Sequence, residues 1–423
     1  MERILQYVWK HKLYPEDGMA TVEGEPVFII DTGVANSDAG PDFFNAKVRI
    51  GHTVWVGNVE IHARASDWYA HGHHRDKAYD SVVLHVVGFH DRTVYRTNGE
   101  PILQMTLQIP EKIKNNIDWL LTRDTPVFCS ERIGKIPPIY LSDWKAALLS
   151  ERLERKASDI RNLLEQYGKD WNEIFYITLM RNFGFGANSD AFEWLAKSLP
   201  WKYILKHRNR PLQVEALLFG QAGLLEADNI PNEDAYFETL CREYAFLRQK
   251  YGLQPVEGYL FRKLRTRPVN FPHVRIAQIA ALWMGQDVLF SKIIDTEDLR
   301  EMLSFFEATP TDYWTTHYHF GEPSVAKKKA LGKNALQTIL INTVIPILFA
   351  YGKQKSRPVY CDRALSFLEK LPPERNHIVT FFEQAGISAR DAGDTQALIQ
   401  LRRAYCEKKK CLYCRIGFRI IDN

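Results

Sequence analysis

GPDFFNAKVRIGHTVWVGNVEIHARASDW, Gly40 to Trp68, decides how the first part of the chain folds. Two alternating runs flank Gly51-His52. In the first, Phe44, Ala46, Val48 and Ile50 share one face and Asn45, Lys47 and Arg49 the other, because side chains two apart in a strand point the same way. The second, Thr53 to Ala63, puts Val54, Val56, Glu60 and His62 on one face and Trp55, Val59 and Ile61 opposite. A tight turn at Gly51-His52 makes an antiparallel hairpin whose paired residue numbers sum to about 103. Asp42, with the parity of Phe44 and Ala46, then lies opposite about position 61, beside Glu60 and His62. Two carboxyls and an imidazole meet at one end of a sheet.

Like charges so placed are unfavourable unless a proton or a cation offsets them. Mg²⁺ or Mn²⁺ held by Asp42, Glu60 and the main-chain carbonyl of Ile61 would do so with oxygen ligands. The alternative is structural: Asp42 caps a turn, and Glu60 pairs with Arg49 or Arg64.

Around this hairpin, up to about Pro110, the sequence favours strands. Pro26 to Ile30 is one. Ser81 to Gly88 is a nearly continuous apolar run, as a strand covered on both faces requires. TVYRTNGEPILQMTLQI reads as a last hairpin turning at Asn98-Gly99. A short amphipathic helix leads the chain. From about Leu141 the period becomes helical, first from a Ser142 N-cap to Gly168. Further helices are expected over Asp170–Phe183, Ser189–Ser198, Gln213–Glu226, Asn232–Lys250, His273–Met284 and Thr296–Phe306. GKIPPIY, Gly134 to Tyr140, marks the boundary. The expected class is α+β: an N-terminal mixed α/β sheet domain over residues 1–135, then a larger all-α domain over 136–423.

The 423 residues, 45% hydrophobic and 25% charged, are ordinary for a globular protein and too many for one core. A net charge of +4 is too slight to argue for nucleic acid, so any phosphate-binding surface must be local. The N-terminus lacks the pattern of a signal peptide, and the six cysteines are scattered, which points to the cytoplasm. Ala335 to Gly352 is the most apolar stretch. Gln337, Asn342, Thr343 and Pro346 interrupt it, and it falls short of the ~20 residues of a membrane span. It is expected as a buried helix, with no membrane association.

A Pro41-Asp42 dipeptide opening one strand, followed by Glu60-Ile61-His62 ending the next, resembles the signature of the PD-(D/E)XK nuclease superfamily. The likeness covers about the first quarter of the chain. It implies a restriction-endonuclease-like sheet, Mg²⁺ or Mn²⁺ at Asp42 and Glu60, hydrolysis of nucleic-acid phosphodiesters, and nucleic acid as partner. His62 stands where the family usually has lysine. It would orient or deprotonate the attacking water without a fixed positive charge. The alternative is a nucleic-acid-binding or scaffold protein that kept the fold and lost the activity. The whole sequence also resembles a bacterial family defined only as a domain of unknown function, which supplies no activity.

SDWYAHGHHRDKAYDSVVLHVV holds Asp67, His71, His73, His74, Asp76 and His85. One expectation is a zinc hydrolase built on His71 to His74. The other is that His71, His73 and Asp76 line the rim of the same cleft and contact substrate. Trp68 and Tyr69 either stack on a base or pack under the loop.

Near the end, YCEKKKCLYCRIGFR places Cys406, Cys411 and Cys414 in C-x4-C-x2-C spacing. Thiols this close in a cytoplasmic protein more often bind metal than form disulfides. Zinc and an iron–sulfur cluster are the two candidates, the spacing resembling the start of a plant-type [2Fe–2S] set. Cys361, His377, Cys241 and Cys129 are candidates for a fourth ligand; simple packing is the alternative. Lys408, Lys409 and Lys410, with Arg402, Arg403, Arg415 and Arg419, form a basic patch, which is either a phosphate-contacting surface or a solvated face. KLRTRPVNFPHVRIAQIAAL and HFGEPSVAKKKALGKNAL combine basic residues with helix starts but match no P-loop, and read as helix junctions.

Overall fold

A computed structural model describes every residue except 16, 37, 123–126, 169, 227–233, 265, 285–287 and 423. Among the described residues, β1 (Val27–Asp31), β2 (Val34–Ala35), β3 (Phe43–Ile50), β4 (Thr53–Arg64), β5 (Val82–Phe89) and β6 (Gln104–Thr106) form one mixed sheet. Its order is β1-β3-β4-β5-β6, with β2 paired to β3. The β1–β3 and β3–β4 pairs are antiparallel, and β4–β5 and β5–β6 are parallel.

The hairpin forms where the alternation placed it. Gly51 takes φ +58°, a conformation that favours glycine. Ile50 pairs with Thr53, Val48 with Trp55 and Ala46 with Gly57, as expected. The register then slips, so that Phe43 pairs with Val59. Asn45 sits in the slip at φ +55°, and its amide donates to the Asn58 Oδ1 at 3.2 Å. This is a β-bulge, and it reverses parity along β3. Phe43, Ala46, Val48 and Ile50 are the buried residues, and Phe44 is only half-buried. Asp42 therefore does not share the inward face of Ala46 and Val48, as strict alternation would have it.

Each face of the sheet carries its own core. Leu5, Val8 and Trp9 of α1 (Glu2–Lys10) pack with Val59, Ile61, Leu84 and Val86. Ala65, Trp68, Tyr79, Val82, Val87, Val94 and Ile102 form the second, smaller core. β5 contributes to both cores, which explains its unbroken apolar run.

The last hairpin expected in this region is not one. Asn98-Gly99 does turn, and Tyr95 bridges Pro101, but β6 beyond it runs parallel to β5. The long helix also starts earlier than the expected Ser142 cap, at Pro138, and runs to Gln166. Proline suits a first helical turn because its missing N–H has no partner there.

The chain divides into two compact units. Unit 1 is Met1–Trp144, Ala385–Ile387 and Arg402–Asn423. The C-terminal segment thus belongs with the sheet rather than with the helical residues. Unit 2, Lys145–Gln384 with Ser388–Leu401, is helical. Trp171–Phe183 is capped by Asp170, whose carboxylate accepts the Asn172 amide at 2.9 Å. Ser189–Ser198 has its expected bounds, and Pro211–Gln221 and Pro272–Trp283 each open on proline. Ala235–Tyr251 follows the Asp234 cap; the start expected at Asn232 lies outside the described residues. The expected Thr296–Phe306 helix is shorter, Leu299–Ser304. Lys333–Gln354 is long and apolar enough to cross a membrane, yet 72% of its apolar window is buried in the fold, as in a core helix.

Candidate metal centre

Beyond the bulge, Asp42 and Glu60 hold each other in place. The Asp42 amide donates to Glu60 Oε2 at 3.0 Å, and the Ile61 amide donates to Asp42 Oδ2 at 3.0 Å. Each carboxylate is thus fixed by the backbone of the other strand. Gln6 of α1 donates to the second Asp42 oxygen, Oδ1, at 2.9 Å. Glu60 is 5% exposed. Its Oε1 lies 3.2 Å from His73 Nε2 and 3.5 Å from His62 Nε2. The His73 contact is close but not aligned as a hydrogen bond, and that buried nitrogen has no hydrogen-bond partner. Glu60 pairs with neither of the arginines considered for it: Arg49 lies over Phe28 and Arg64 over Phe89.

His62, 1% exposed, belongs to a line of rings. Its Nδ1 is 2.9 Å from His85 Nε2, and its Nε2 is 3.1 Å from His71 Nδ1. His85 Nδ1 in turn faces the Gln104 amide nitrogen at 3.1 Å. The tautomers follow from Gln104. Its Oε1 accepts the Val94 amide at 3.3 Å, so its Nε2 must be the donor toward His85. His85 then carries its proton on Nε2 and gives it to His62 Nδ1. His62 carries its proton on Nε2, aimed at His71 and Glu60. His71, exposed at the rim, accepts on Nδ1 and keeps a proton on its other nitrogen. The ring of His73 stacks on Tyr79, with centroids 3.7 Å apart.

Burial drives the two halves of the site in opposite directions. It pushes the Asp42 carboxyl up to about 7, and the neighbouring Glu60 adds to the effect. It pulls the His62 imidazole down to about 2, helped by His85, His73 and His71, and His85 down to about 3. His62 is therefore a poor base as placed, and the expected role of deprotonating water does not suit it.

Ligand atoms of His62, His71 and His73 lie within 4.8 Å of one another, close enough to hold one metal ion. Among the described residues this is the one set of three histidine, cysteine or acidic side chains so placed. The histidine stretch thus contributes a metal-competent group, but with His62 from β4 rather than His74. Among the described residues Cys406, Cys411 and Cys414 form no such group, so the zinc or iron–sulfur site expected at these cysteines finds no support in the arrangement.

Trp68 packs its ring against His62, His73 and His85, and the remaining expected residues take other roles. Asp76 caps the turn Lys77–Tyr79, accepting the Ala78 amide at 2.9 Å. Trp68 is fully buried in the second core and donates to the Tyr95 carbonyl at 3.2 Å, so it packs under the loop and offers no face to a base. Lys408, Lys409 and Lys410 are exposed. Ile61 takes part through its amide. Gln6, Gln104 and Tyr79 were not foreseen. The spacing of Glu2 and Gln6 on one face of an amphipathic helix was a usable signal for Gln6; nothing in the sequence singles out Gln104.

The family described as "Protein of unknown function (DUF2851)" matches residues 2–377. The chain belongs to that family. No curated protein and no solved structure matches it. The family match spans the whole of the candidate centre, so Asp42, Glu60, His62, His71, His73, His85 and Gln104 all fall within the matched residues.

Proposed function

We propose that unit 1 is a metal-dependent, nuclease-like enzyme that hydrolyses phosphodiester bonds of nucleic acid. The observation that carries this reading is the reciprocal lock of Asp42 and Glu60, made by the backbone amides of adjacent strands. A mixed sheet with an antiparallel hairpin feeding a parallel strand, preceded by a helix, agrees with a restriction-endonuclease-like core.

The donor set fits a cation. A buried carboxyl beside a second one favours its proton, and His73 Nε2 is buried without a hydrogen bond; a divalent ion offsets both. Asp42, Glu60 and the Ile61 carbonyl are the oxygen ligands that Mg²⁺ or Mn²⁺ would take. Such an ion lowers the pKa of a bound water and stabilises charge on a phosphoryl group. The residues of the chain supply position. Gln6 and the Ile61 amide aim Asp42, and the Asp42 amide aims Glu60. The Gln104–His85 pair holds His62 as an N–H donor, so His62 orients rather than deprotonates. His71, at the exposed rim, presents an N–H donor to a phosphate oxygen.

The His62, His71 and His73 group favours a second reading, a zinc-dependent hydrolase with Glu60 beside the ion, since imidazole suits zinc better than magnesium. One set of assays separates the two. Purified protein is given DNA and RNA with Mg²⁺, Mn²⁺ or Zn²⁺, alongside Asp42→Asn, Glu60→Gln and His73→Ala. Cleavage with Mg²⁺ or Mn²⁺ that both carboxylate variants abolish supports the first reading. Cleavage with Zn²⁺ alone, lost in His73→Ala, supports the second. Binding without cleavage under every ion would make the protein a nucleic-acid-binding module.

A further inference from the structure

The basic stretch KLRTRPVNFPHVR leads into the helix Pro272–Trp283 of unit 2. Arg275, one turn into that helix, is 8% exposed. Its guanidinium has only neutral partners. Nη1 donates to Gln278 Oε1 at 2.8 Å, and Nη2 to Asn270 Oδ1 at 2.6 Å. Arginine can only donate, so both amides must turn their oxygens toward it. The Gln278 nitrogen goes on to the Lys329 carbonyl at 2.7 Å. Arg275 Nε is buried and has no hydrogen-bond partner. Among the described residues no carboxylate pairs with this guanidinium. A buried charge without a counter-charge is costly. The helix start adds to the cost, because the N-terminal end of a helix favours anions over cations.

Arg275 borders a cavity of about 290 Å³, near the lower end of the ~300 to 1,000 Å³ typical of small-molecule sites. Arg267 and Asn270 line the same cavity, and Phe183, Phe185 and Phe192 give it an apolar side. Among the described residues no acidic side chain lines it. Arg267 and Asn270 are exposed, so the cavity is reached from solvent. One wall is the loop 184–189. Gly184 lies so close to the backbone of Asn188 and Ser189 that a side chain there would collide with it. Phe185 is held at φ +43°, a backbone that phenylalanine keeps only where its surroundings over-determine it. Those surroundings are specific. The Gly186 amide donates to Ser189 Oγ at 3.1 Å. The Asn188 side chain accepts the Arg262 amide at 2.7 Å and donates to the Arg262 carbonyl at 3.0 Å. The outcome is a Phe185 ring centred 4.1 Å from the Arg275 guanidinium carbon. Ring and amides fix the guanidinium in place without neutralising it.

A cavity with a fixed buried cation, a second arginine and an amide donor selects an anion. The Asn270 oxygen is committed to Arg275, which leaves its nitrogen to donate. Two guanidiniums and a helix start present more than one positive charge. A phosphate monoester matches them, with a charge of about −1.5 to −2 at pH 7 and three acceptor oxygens. The guanidinium fork also pairs with two phosphate oxygens at once. A carboxylate brings a single charge and leaves part of the field unanswered. The phenylalanines accommodate a small apolar body beside the phosphate. We propose that unit 2 binds a small phosphate monoester in this cavity, with Arg275 as the buried anchor and Arg267 and Asn270 as donors at the rim. The bound anion supplies the counter-charge that Arg275 lacks. This site does not depend on the nuclease reading of unit 1.

The test uses the full chain in EDTA, so that no divalent ion in unit 1 contributes a phosphate site. Inorganic phosphate and phenyl phosphate are titrated by calorimetry, with acetate as the carboxylate comparison. Both phosphates should bind saturably at one site per chain, and acetate far more weakly. Arg275→Met should weaken phosphate binding by at least ~10-fold, as expected for the loss of a charge-assisted hydrogen bond. Because Arg275→Met could fail to fold, Arg267→Ala at an exposed position carries the same test, with a loss of several-fold. Lys370→Ala, which removes an exposed cation of unit 2 outside the cavity lining, should keep the wild-type affinity. No saturable phosphate binding by the wild type, unchanged affinity in both arginine variants, or an equal loss in Lys370→Ala would each overturn the site. Acetate binding as tightly as phosphate would overturn the choice of ligand.

Discussion

Acidification should act on unit 1 through two opposing groups, and removing one of them should expose the other. His62 and His85 are neutral in the fold, pulled down to about 2 and about 3. Unfolded, each imidazole titrates near ~6.5. Their folded values are depressed, so the unfolded chain binds more protons below ~6.5, and stability falls as pH falls. At pH 5, about 1.5 below the free value, each costs about 2 kcal/mol relative to pH 8, so the pair costs about 4 kcal/mol. The result needs only that both stay neutral at pH 5. Asp42 has the opposite sign. Its folded value is raised to about 7, so between ~4 and ~7 the folded chain holds the extra proton, and stability rises as pH falls. From pH 8 to pH 5 this returns roughly 2–3 kcal/mol. The wild type should therefore lose only roughly 1–2 kcal/mol over that range, and Asp42→Asn about 4 kcal/mol. The assay is urea titration at each pH, read by native-state proteolysis of peptides in β4 and β5, which reports unit 1 rather than the whole chain. Equal pH responses in wild type and Asp42→Asn would refute the protonated Asp42. No acid penalty in Asp42→Asn would refute the buried neutral imidazoles.

Asp42→Asn and Glu60→Gln should each lower cleavage by at least ~100-fold if a metal-activated water is the nucleophile, measured as initial rates at saturating Mn²⁺. Gln104→Glu should reverse the line of tautomers, since a carboxylate accepts where the amide donated; proton–nitrogen correlation spectra should show the His62 proton moving from Nε2 to Nδ1. Triple substitution of Lys408, Lys409 and Lys410 by Glu should weaken nucleic-acid binding and flatten its dependence on salt; unchanged binding isotherms would remove the C-terminal patch from the interface. Mn²⁺ affinity should fall about tenfold per pH unit below ~7 if Asp42 is a ligand, and calorimetry at several pH values would show it.

The hairpin was legible because alternation is a strong signal and Gly51 marks its turn. The site it carries was legible in membership but not in mechanism. Asp42, Glu60 and His62 do meet, yet strict parity put Asp42 on the face of Ala46 and Val48. The bulge at Asn45 moves it, and a bulge leaves no mark on the hydrophobic pattern. The parallel pairing of β5 with β6 was hidden for a related reason. Asn98-Gly99 has the composition of a hairpin turn, and only the wider sheet decides which strand β6 joins. Trp68 was ambiguous because an aromatic beside histidines suits a base or a core equally well; its indole N–H, given to Tyr95, shows which applies. Gln104 was invisible. A glutamine in a strand reads as surface until the Val94 amide and His85 are seen on either side of it.

In the proposed function, the same burial that lifts Asp42 and depresses His62 and His85 prepares the centre for a cation. With its proton, Asp42 is a neutral carboxylic acid, and His62 and His85 are neutral rings, so this part of the interior carries less charge than its composition suggests. An isolated charge there would be costly, and the fold avoids one by holding a proton on the acid and withholding protons from the bases. On that reading a divalent ion would take the place of the proton, and the ligand charge it needs would appear only as the proton leaves. The backbone amides of Asp42 and Ile61 already hold the two carboxylates in place, so little ordering remains to be done when the ion arrives. If the proposed metal binds there, the reciprocal lock across the bulge holds both carboxylates ready for the exchange of a proton for the ion.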